Sequence, residues 1–251
     1  MHQLSLQACF PSLHAFEQKH RSLVLAMMQQ EKRPSGLFTL RGGMGRLIEA
    51  LGKTAMDIHL ECATYAIESD HVVAGGRRWT ADRIICALPG HEMAKCTGIL
   101  LPLRYETLSV VNLGYEGTTH LKGYGYLVPS SEGEALLGQI WDSAVFPQQG
   151  LTQFTSMVRS ADPQACARDA MRRHLGDARE PAAVFHQEAQ IPQYDLGHVG
   201  KIRQFEALVR SRFRRMCVVG NYFESPSVEA CVARAKRAVE KEAKIDEMIF
   251  T

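Results

Sequence analysis

Hydrophobic positions in this chain alternate between helical and strand periods, and the switches mark its elements. From Pro11 to about Gln30, Leu13, Phe16, His20, Leu23, Val24 and Met27 recur at helical spacing, and Pro11 suits a first turn. Residues 31–36 are charged and carry Pro34, which predicts a linker. Residues 37–40 predict a short strand and Arg41 to Gly45 a glycine turn. Leu47, Ile48 and Leu51 give the apolar face of a helix ending near Gly52. Strand candidates follow at 57–68, 71–74 and 78–88, with a hairpin signal at Gly75-Gly76 between the last two. Residues 84–88 are apolar throughout, as in a strand buried on both faces, and Pro89-Gly90 stops the run.

The next stretch is mostly of strand type, with candidates at 108–115, 124–128, 136–141 and 154–158 and turns at Glu116-Gly117 and 129–133. Asp162 as N-cap, Pro163 in the first turn and Gly176 just past the end bound a helix. Residues 183–189 predict another strand. Pro192 lacks a ladder donor, so 191–194 cannot lie in a central strand. Val199, Ile202, Phe205 and Val209 mark a helix. The apolar run 216–219 then ends in Gly220-Asn221, and a small-residue helix starts near Ser227. A strand that enters a helix through glycine offers backbone N–H groups and a helix dipole to an anion. An ordinary strand-turn-helix is the other reading.

Composition narrows the class. The chain has 251 residues, 45% hydrophobic and 22% charged, enough to bury a core and too apolar for disorder. A formal net charge of +2 shows no nucleic-acid footprint. The basic run Lys201, Arg203, Arg210, Arg212, Arg214 and Arg215 reads as a solvated helix face. Seven cysteines without paired spacing point to a reducing compartment, and without a C-x-x-C pair no zinc site is expected. No stretch has the length of a spanning helix.

Several ordered segments resemble the protoporphyrinogen oxidase family of amine-oxidase-like flavoproteins. They are Cys9-Phe10-Pro11-Ser12-Leu13 with Glu17 and His20, Leu40-Arg41-Gly42-Gly43-Met44, Val110-Val111-Asn112-Leu113-Gly114-Tyr115, Tyr124-Gly125-Tyr126-Leu127-Val128-Pro129-Ser130-Ser131-Glu132, and Ile191-Pro192-Gln193-Tyr194-Asp195-Leu196-Gly197-His198. The resemblance covers the family's C-terminal part, and these 251 residues contain no G-x-G-x-x-G. It implies an α/β (α+β) fold, with an incomplete FAD-binding Rossmann-like domain in two separated segments and an inserted β-rich substrate-binding domain. The expected division is 1–36, the last helix of a helical region with its linker; 37–90, an FAD-binding segment; 91–213, the substrate-binding domain; and 214–251, the returning strand and helix.

The family's chemistry is the FAD-dependent oxidation of protoporphyrinogen IX to protoporphyrin IX, with oxygen as the usual acceptor. The resemblance therefore implies a tetrapyrrole substrate, FAD, and a complementary N-terminal FAD-binding domain. It also implies a cytoplasmic protein with peripheral inner-membrane association and a homodimeric form. Thr64 matches a position whose backbone meets the adenosine of FAD. Gly220, Asn221, Pro226, Ser227 and Val228 match the motif against the flavin and ribityl chain. Val199 falls where the family often has an aromatic near the flavin, and Tyr126 and Leu127 match residues lining the substrate cavity. Plain packing is the other reading of each. No catalytic residue is assigned, since no carboxylate pair, Cys/His pair or metal cluster is seen. Ser225, Ala230 and Ala235 depart from the family's glycine, acid and glycine, and Ser225 narrows the backbone's approach to a cofactor. The alternative is a non-catalytic remnant or tetrapyrrole-binding module.

Overall fold

The computed structural model of the protein describes residues 4–24, 28, 38–147 and 150–249. Its elements begin with α1 (Leu6–Cys9), α2 (Pro11–His20), α3 (Gly45–Gly52), β1 (Thr64–Ile67), β2 (His71–Ala74), β3 (Arg77–Thr80), β4 (Ile84–Cys86) and α4 (Gly90–Thr97). They continue with β5 (Tyr105–Glu116), β6 (Gly125–Leu127), β7 (Leu136–Ile140), α5 (Asp142–Val145), β8 (Leu151–Val158), α6 (Pro163–Leu175) and β9 (Ala183–Pro192). The last are α7 (His198–Arg212), β10 (Met216–Val218) and α8 (Val228–Ile249). They form two compact units: residues up to 104 with those from 192 onward, and residues 105–191. The second unit is narrower than the expected 91–213, because α4 packs on β1 and α7 on β10 in the first.

In the first unit, the helix expected to reach Gln30 breaks after His20, and Leu23, Val24 and Met28 are helical again. Arg21 turns left-handed, with φ 54°, and its N–H closes on the Glu17 carbonyl. Met27, the 31–36 linker and Leu37 lie outside the described residues. Residues 38–40 are irregular rather than a strand, since the chain turns at once and Gly43 N–H donates to the Leu40 carbonyl. α3 forms as expected, but its apolar stripe stands open, with Ile48 69% exposed.

β1, β2 and β3 make the antiparallel meander, turning through Gly75 and Gly76, both at positive φ. Residues 57–63 stay outside the ladder, because pairing starts at Thr64 opposite Ala74, the last residue of a four-residue β2. The apolar run 78–88 divides between two sheets. β3 stays in the meander, whereas β4 pairs in parallel with β10, Ile84 opposite Met216 and Cys86 opposite Val218. This two-stranded sheet is covered on one face only, so Ile84 and Cys86 are buried while Ile85 is 52% exposed. Ile67, Ile84, Met93, Phe205, Met216, Val218 and Tyr222 share one core, which fastens the meander, β4 and β10 together.

The second unit is a five-stranded sheet in the order β6-β7-β8-β5-β9. β5 and β8 pair from Ser109↔Val158 to Glu116↔Leu151. α6 starts on Asp162, whose carboxylate accepts from Ala165 N–H at 3.0 Å, and ends at Gly176 with φ 68°. Its Ala167, Ala170 and Met171 cover Val111, Leu113, Leu136, Phe154 and Val158 on one sheet face. Pro192 closes β9, an edge strand, where a missing donor costs nothing. The register puts Leu127, Val110, Met157, Ile140, Asn112 and Thr155 on the opposite, partly exposed face.

Candidate functional site

Beyond β10, Val219 N–H donates to the Cys86 carbonyl at 2.9 Å and the chain folds over itself at Gly220. A Cβ at Gly220 would lie 2.6 Å from Tyr222 Cε1, so any side chain here forces the Tyr222 ring or the turn to shift. Tyr222 is fully buried, and its hydroxyl donates to the Leu88 carbonyl at 3.3 Å. Two carbonyls of the turn, one on each side of Tyr222, are held from α7 and its approach. The Tyr194 hydroxyl donates to Asn221 O, and His198 Nε2 donates to Phe223 O at 3.1 Å. The Tyr194 and His198 rings lie 4.3 Å apart. Burial pushes the His198 imidazole below its ordinary range, so it serves as a neutral donor. Arg234 stacks 3.9 Å over the Phe223 ring and pairs with Glu206 at 2.5 Å.

The start of α8 follows directly. Ser227 is its N-cap, accepting from Ala230 N–H at 3.1 Å, and Pro226 stands one residue ahead. Pro226, Ser227 and Val228 are exposed, and Glu229 in the first turn suits the helix dipole. A cleft of about 420 Å³ lies between this helix start and the turn into α2, lined by Phe10, Pro11, Leu13, Ser227, Glu229 and Ala233. Val199, half-buried in the first turn of α7, lines a second cleft of about 310 Å³ with Ala8, Ile202, Phe223 and Arg234. Thr64 opens β1 on the separate meander, and its carbonyl accepts from Cys96 Sγ at 3.3 Å.

The fold thus gathers Val199, Gly220, Asn221, Pro226, Ser227 and Val228 around one turn and leaves Thr64 on another sheet. The turn has one exposed side, at Asn221 and residues 226–228. Its carbonyls at 221 and 223 are tied inward, and an exposed helix start presents N–H groups that have no intrahelical partner.

Tyr126 and Leu127 sit side by side on β6 and face opposite ways, as strand geometry dictates. The Tyr126 hydroxyl turns toward α6, 2.7 Å from His174 Nδ1. His174 Nε2 lies 3.2 Å from Glu134, which Arg173 grips with both terminal nitrogens at 3.1 and 3.2 Å. Arg173 holds the Glu134 carboxyl below its usual range, and burial pushes the Tyr126 phenol up to about 12. Leu127 is 79% exposed on the other face.

That face carries polar residues the sequence pattern did not single out. Asn112 Nδ2 donates to Thr155 Oγ1 at 2.6 Å, and Thr155 Oγ1 donates to Asp142 Oδ2 at 2.8 Å. Burial raises the Asp142 carboxyl, and the Thr155 hydroxyl partly offsets this. The available signal was a polar Asn112 inside a long apolar strand; its partner depends on a register that sequence spacing does not give. Among the described residues, no group of three or more His, Cys, Asp or Glu could hold a metal ion. Among those residues too, no helix is long and apolar enough to cross a membrane.

The sequence profile of the family described as flavin containing amine oxidoreductase matches residues 2–241. The chain is 28% identical over 296 residues to protoporphyrinogen oxidase of Homo sapiens, covering 94% of this chain and 61% of the relative. It is 24% identical to coproporphyrinogen III oxidase of Bacillus subtilis, covering 94% of this chain and 59% of that one. The chain therefore spans about three-fifths of the length of these curated relatives. Its fold matches the crystal structure of an Exiguobacterium protein assigned as a protoporphyrinogen oxidase. The TM-score is 0.77 at 21% identity, over 95% of this chain and 59% of that one. Putrescine oxidase shares the fold at a TM-score of 0.60 and 17% identity, over 81% of this chain and 53% of that one.

Proposed function

The chain belongs to the flavin-containing amine oxidoreductase family, and on that footing we propose that it forms part of an FAD-dependent protoporphyrinogen oxidase. The reaction is the six-electron oxidation of protoporphyrinogen IX to protoporphyrin IX in haem biosynthesis, with molecular oxygen as acceptor. The observation that carries this reading is the preformed 220–228 turn, which Tyr194 and His198 fix from the matched 191–198 segment. When bound, the flavin supplies the electron acceptor, and the chain supplies placement and shape. Gly220, Asn221 and the start of α8 hold one side of the flavin and ribityl chain, Val199 lies beside them, and the Thr64 backbone takes the adenosine.

Leu127, Ile140, Met157 and Val110 offer the tetrapyrrole a wall of apolar contacts, with the Asp142 carboxylate behind Thr155 on the same face. That wall favours a porphyrinogen with vinyl side chains over one with additional carboxylates. The Tyr126 hydroxyl is engaged with His174, so we give it no proton-transfer role.

The strongest anchor for a dinucleotide pyrophosphate in this kind of fold is a glycine-rich first βα turn. No G-x-G-x-x-G occurs in these 251 residues, so we place that anchor on a complementary N-terminal domain. The exposed Ile48, Leu51 and Ile85 suit the docking of such a domain. Peripheral attachment to the cytoplasmic side of an inner membrane and a homodimeric form belong to the same proposal. The test is co-expression with a G-x-G-x-x-G domain, followed by the fluorescence of porphyrin formed from protoporphyrinogen IX. Flavin-dependent porphyrin formation supports an oxidase. Porphyrin binding without turnover indicates a tetrapyrrole-binding module instead.

A further inference from the structure

Asn112 is an anomaly in β5. It stands in the middle of a 12-residue strand that pairs with β8 on one side and neighbours β9 on the other. Asparagine is depleted in such positions. On that face Val110 and Met157 form the adjacent cross-strand pair on one side, Gln153 stands opposite Gly114 on the other, and Ile140 lies beyond Thr155 in its own row.

The chemistry of its neighbours fixes how the amide points. An ionised carboxylate only accepts hydrogen bonds. Thr155, 2.8 Å from Asp142 Oδ2, must therefore donate its one proton to Asp142. Its remaining lone pairs then accept, so the Asn112 atom 2.6 Å away is the amide nitrogen. The carbonyl oxygen of the same amide is turned away from Thr155. Three residues far apart in sequence thus form a chain with one polarity, ending in an oriented acceptor on the open sheet face.

We infer that Asn112 Oδ1 accepts a hydrogen bond from a pyrrole N–H of the bound porphyrinogen, with Thr155 and Asp142 as positioning residues that hold the amide in that sense. The inference rests on the porphyrinogen reading above and names a contact within it. A porphyrinogen has tetrahedral bridging carbons, so its ring puckers and its N–H groups can tilt out of the mean plane toward one face. In the flat, conjugated porphyrin the N–H groups point into the ring centre. An acceptor on the wall therefore distinguishes the reduced ring from the oxidised one, and favours binding of substrate over retention of product.

The experiment is anaerobic titration of the full chain with protoporphyrinogen IX and, separately, with protoporphyrin IX, using tryptophan fluorescence quenching. Asn112→Leu and Thr155→Val should each weaken protoporphyrinogen binding about 5-fold, the scale of one hydrogen bond. Protoporphyrin binding should change by less than about 2-fold on the same scale. Asp142→Ala, which removes the acceptor, should show a loss of the same selective kind, and Thr155→Ser should restore wild-type binding. Circular dichroism melting identifies any variant that fails to fold, in which case the Thr155→Val and Thr155→Ser pair decides. Equal loss of both ligands would reduce the chain of contacts to an anchor for α5 and overturn the inference, as would unchanged protoporphyrinogen binding. If the wild-type chain binds neither ring, the porphyrinogen reading falls first and this contact falls with it.

Discussion

The Tyr194 hydroxyl donates to the backbone carbonyl of Asn221, across 27 residues of sequence. This bond joins the segment before α7 to the turn after β10, and His198 adds a parallel bond to Phe223. Tyr194→Phe removes the first bond and keeps the ring stack. We expect a loss of about 1 kcal/mol, the net value of one such bond, measured by urea unfolding. Flavin retention in the assembled protein should fall further than stability does, because the loosened turn is the one proposed to face the cofactor. A stability loss with unchanged flavin content would make the clamp purely structural.

His198 makes stability depend on pH. Burial, the larger cause, holds its folded-state value below the ordinary one; Lys201 lowers it further, while the two backbone contacts and Asp195 oppose. The unfolded chain therefore binds the proton more readily than the folded one. The stabilising contribution is intact above about pH 6.5, the usual histidine value, and is lost as pH falls from there toward the lowered folded value. The melting temperature should decline between pH 7.5 and 5.5, and His198→Gln should flatten that decline. An unchanged slope in the variant would assign the effect to another group.

Gly220→Ala tests the tight path of the turn. Its methyl would meet Tyr222 Cε1 at 2.6 Å, and the fully buried Tyr222 has little room to yield. Overpacking of this kind costs about 1–3 kcal/mol. Chemical denaturation should find the variant destabilised within that range. A loss under about 0.5 kcal/mol, typical of a surface position, would mean that the turn adapts.

Tyr126 and Leu127 should separate in function although they are neighbours. Tyr126→Phe deletes a hydroxyl committed to His174 and should lower stability by about 1 kcal/mol without changing porphyrin affinity. Leu127→Asp places a charge on the open sheet face. It should weaken porphyrin binding at least about 10-fold, since an apolar ring cannot solvate the charge. Titration of both variants with protoporphyrin IX measures this, and the reverse ranking would place the ligand on the α6 side.

Much of the fold was legible because local chemistry decided it. Asp162, Pro163 and Gly176 bound α6 by capping alone, and Gly75-Gly76 specified the meander turn. Errors arose where a distant partner decides. The run at 78–88 reads as one buried strand, yet β3 and β4 join different sheets, and the two-stranded β4–β10 pair leaves Ile85 exposed. Around the candidate site, the glycine and the helix start were visible at 220–228. The roles of Tyr194 and His198 were not, since they depend on contacts with a turn more than twenty residues away. The Asn112–Thr155–Asp142 chain needs the register of β5 against β8, and no spacing rule supplies it.

One side of the proposed flavin site lies on the 220–228 turn, and its proposed pyrophosphate anchor lies outside these 251 residues. Contacts from one side leave the phosphates in water, and they must also offset lost translational and rotational freedom of at least several kcal/mol. The direct measurement is the flavin absorbance spectrum of the purified chain, alone and co-expressed with a G-x-G-x-x-G domain. A colourless chain alone and a yellow complex carrying FAD when the domain is supplied are expected. Near-stoichiometric FAD on the chain alone, or no flavin on the complex, would contradict the proposed division of the site.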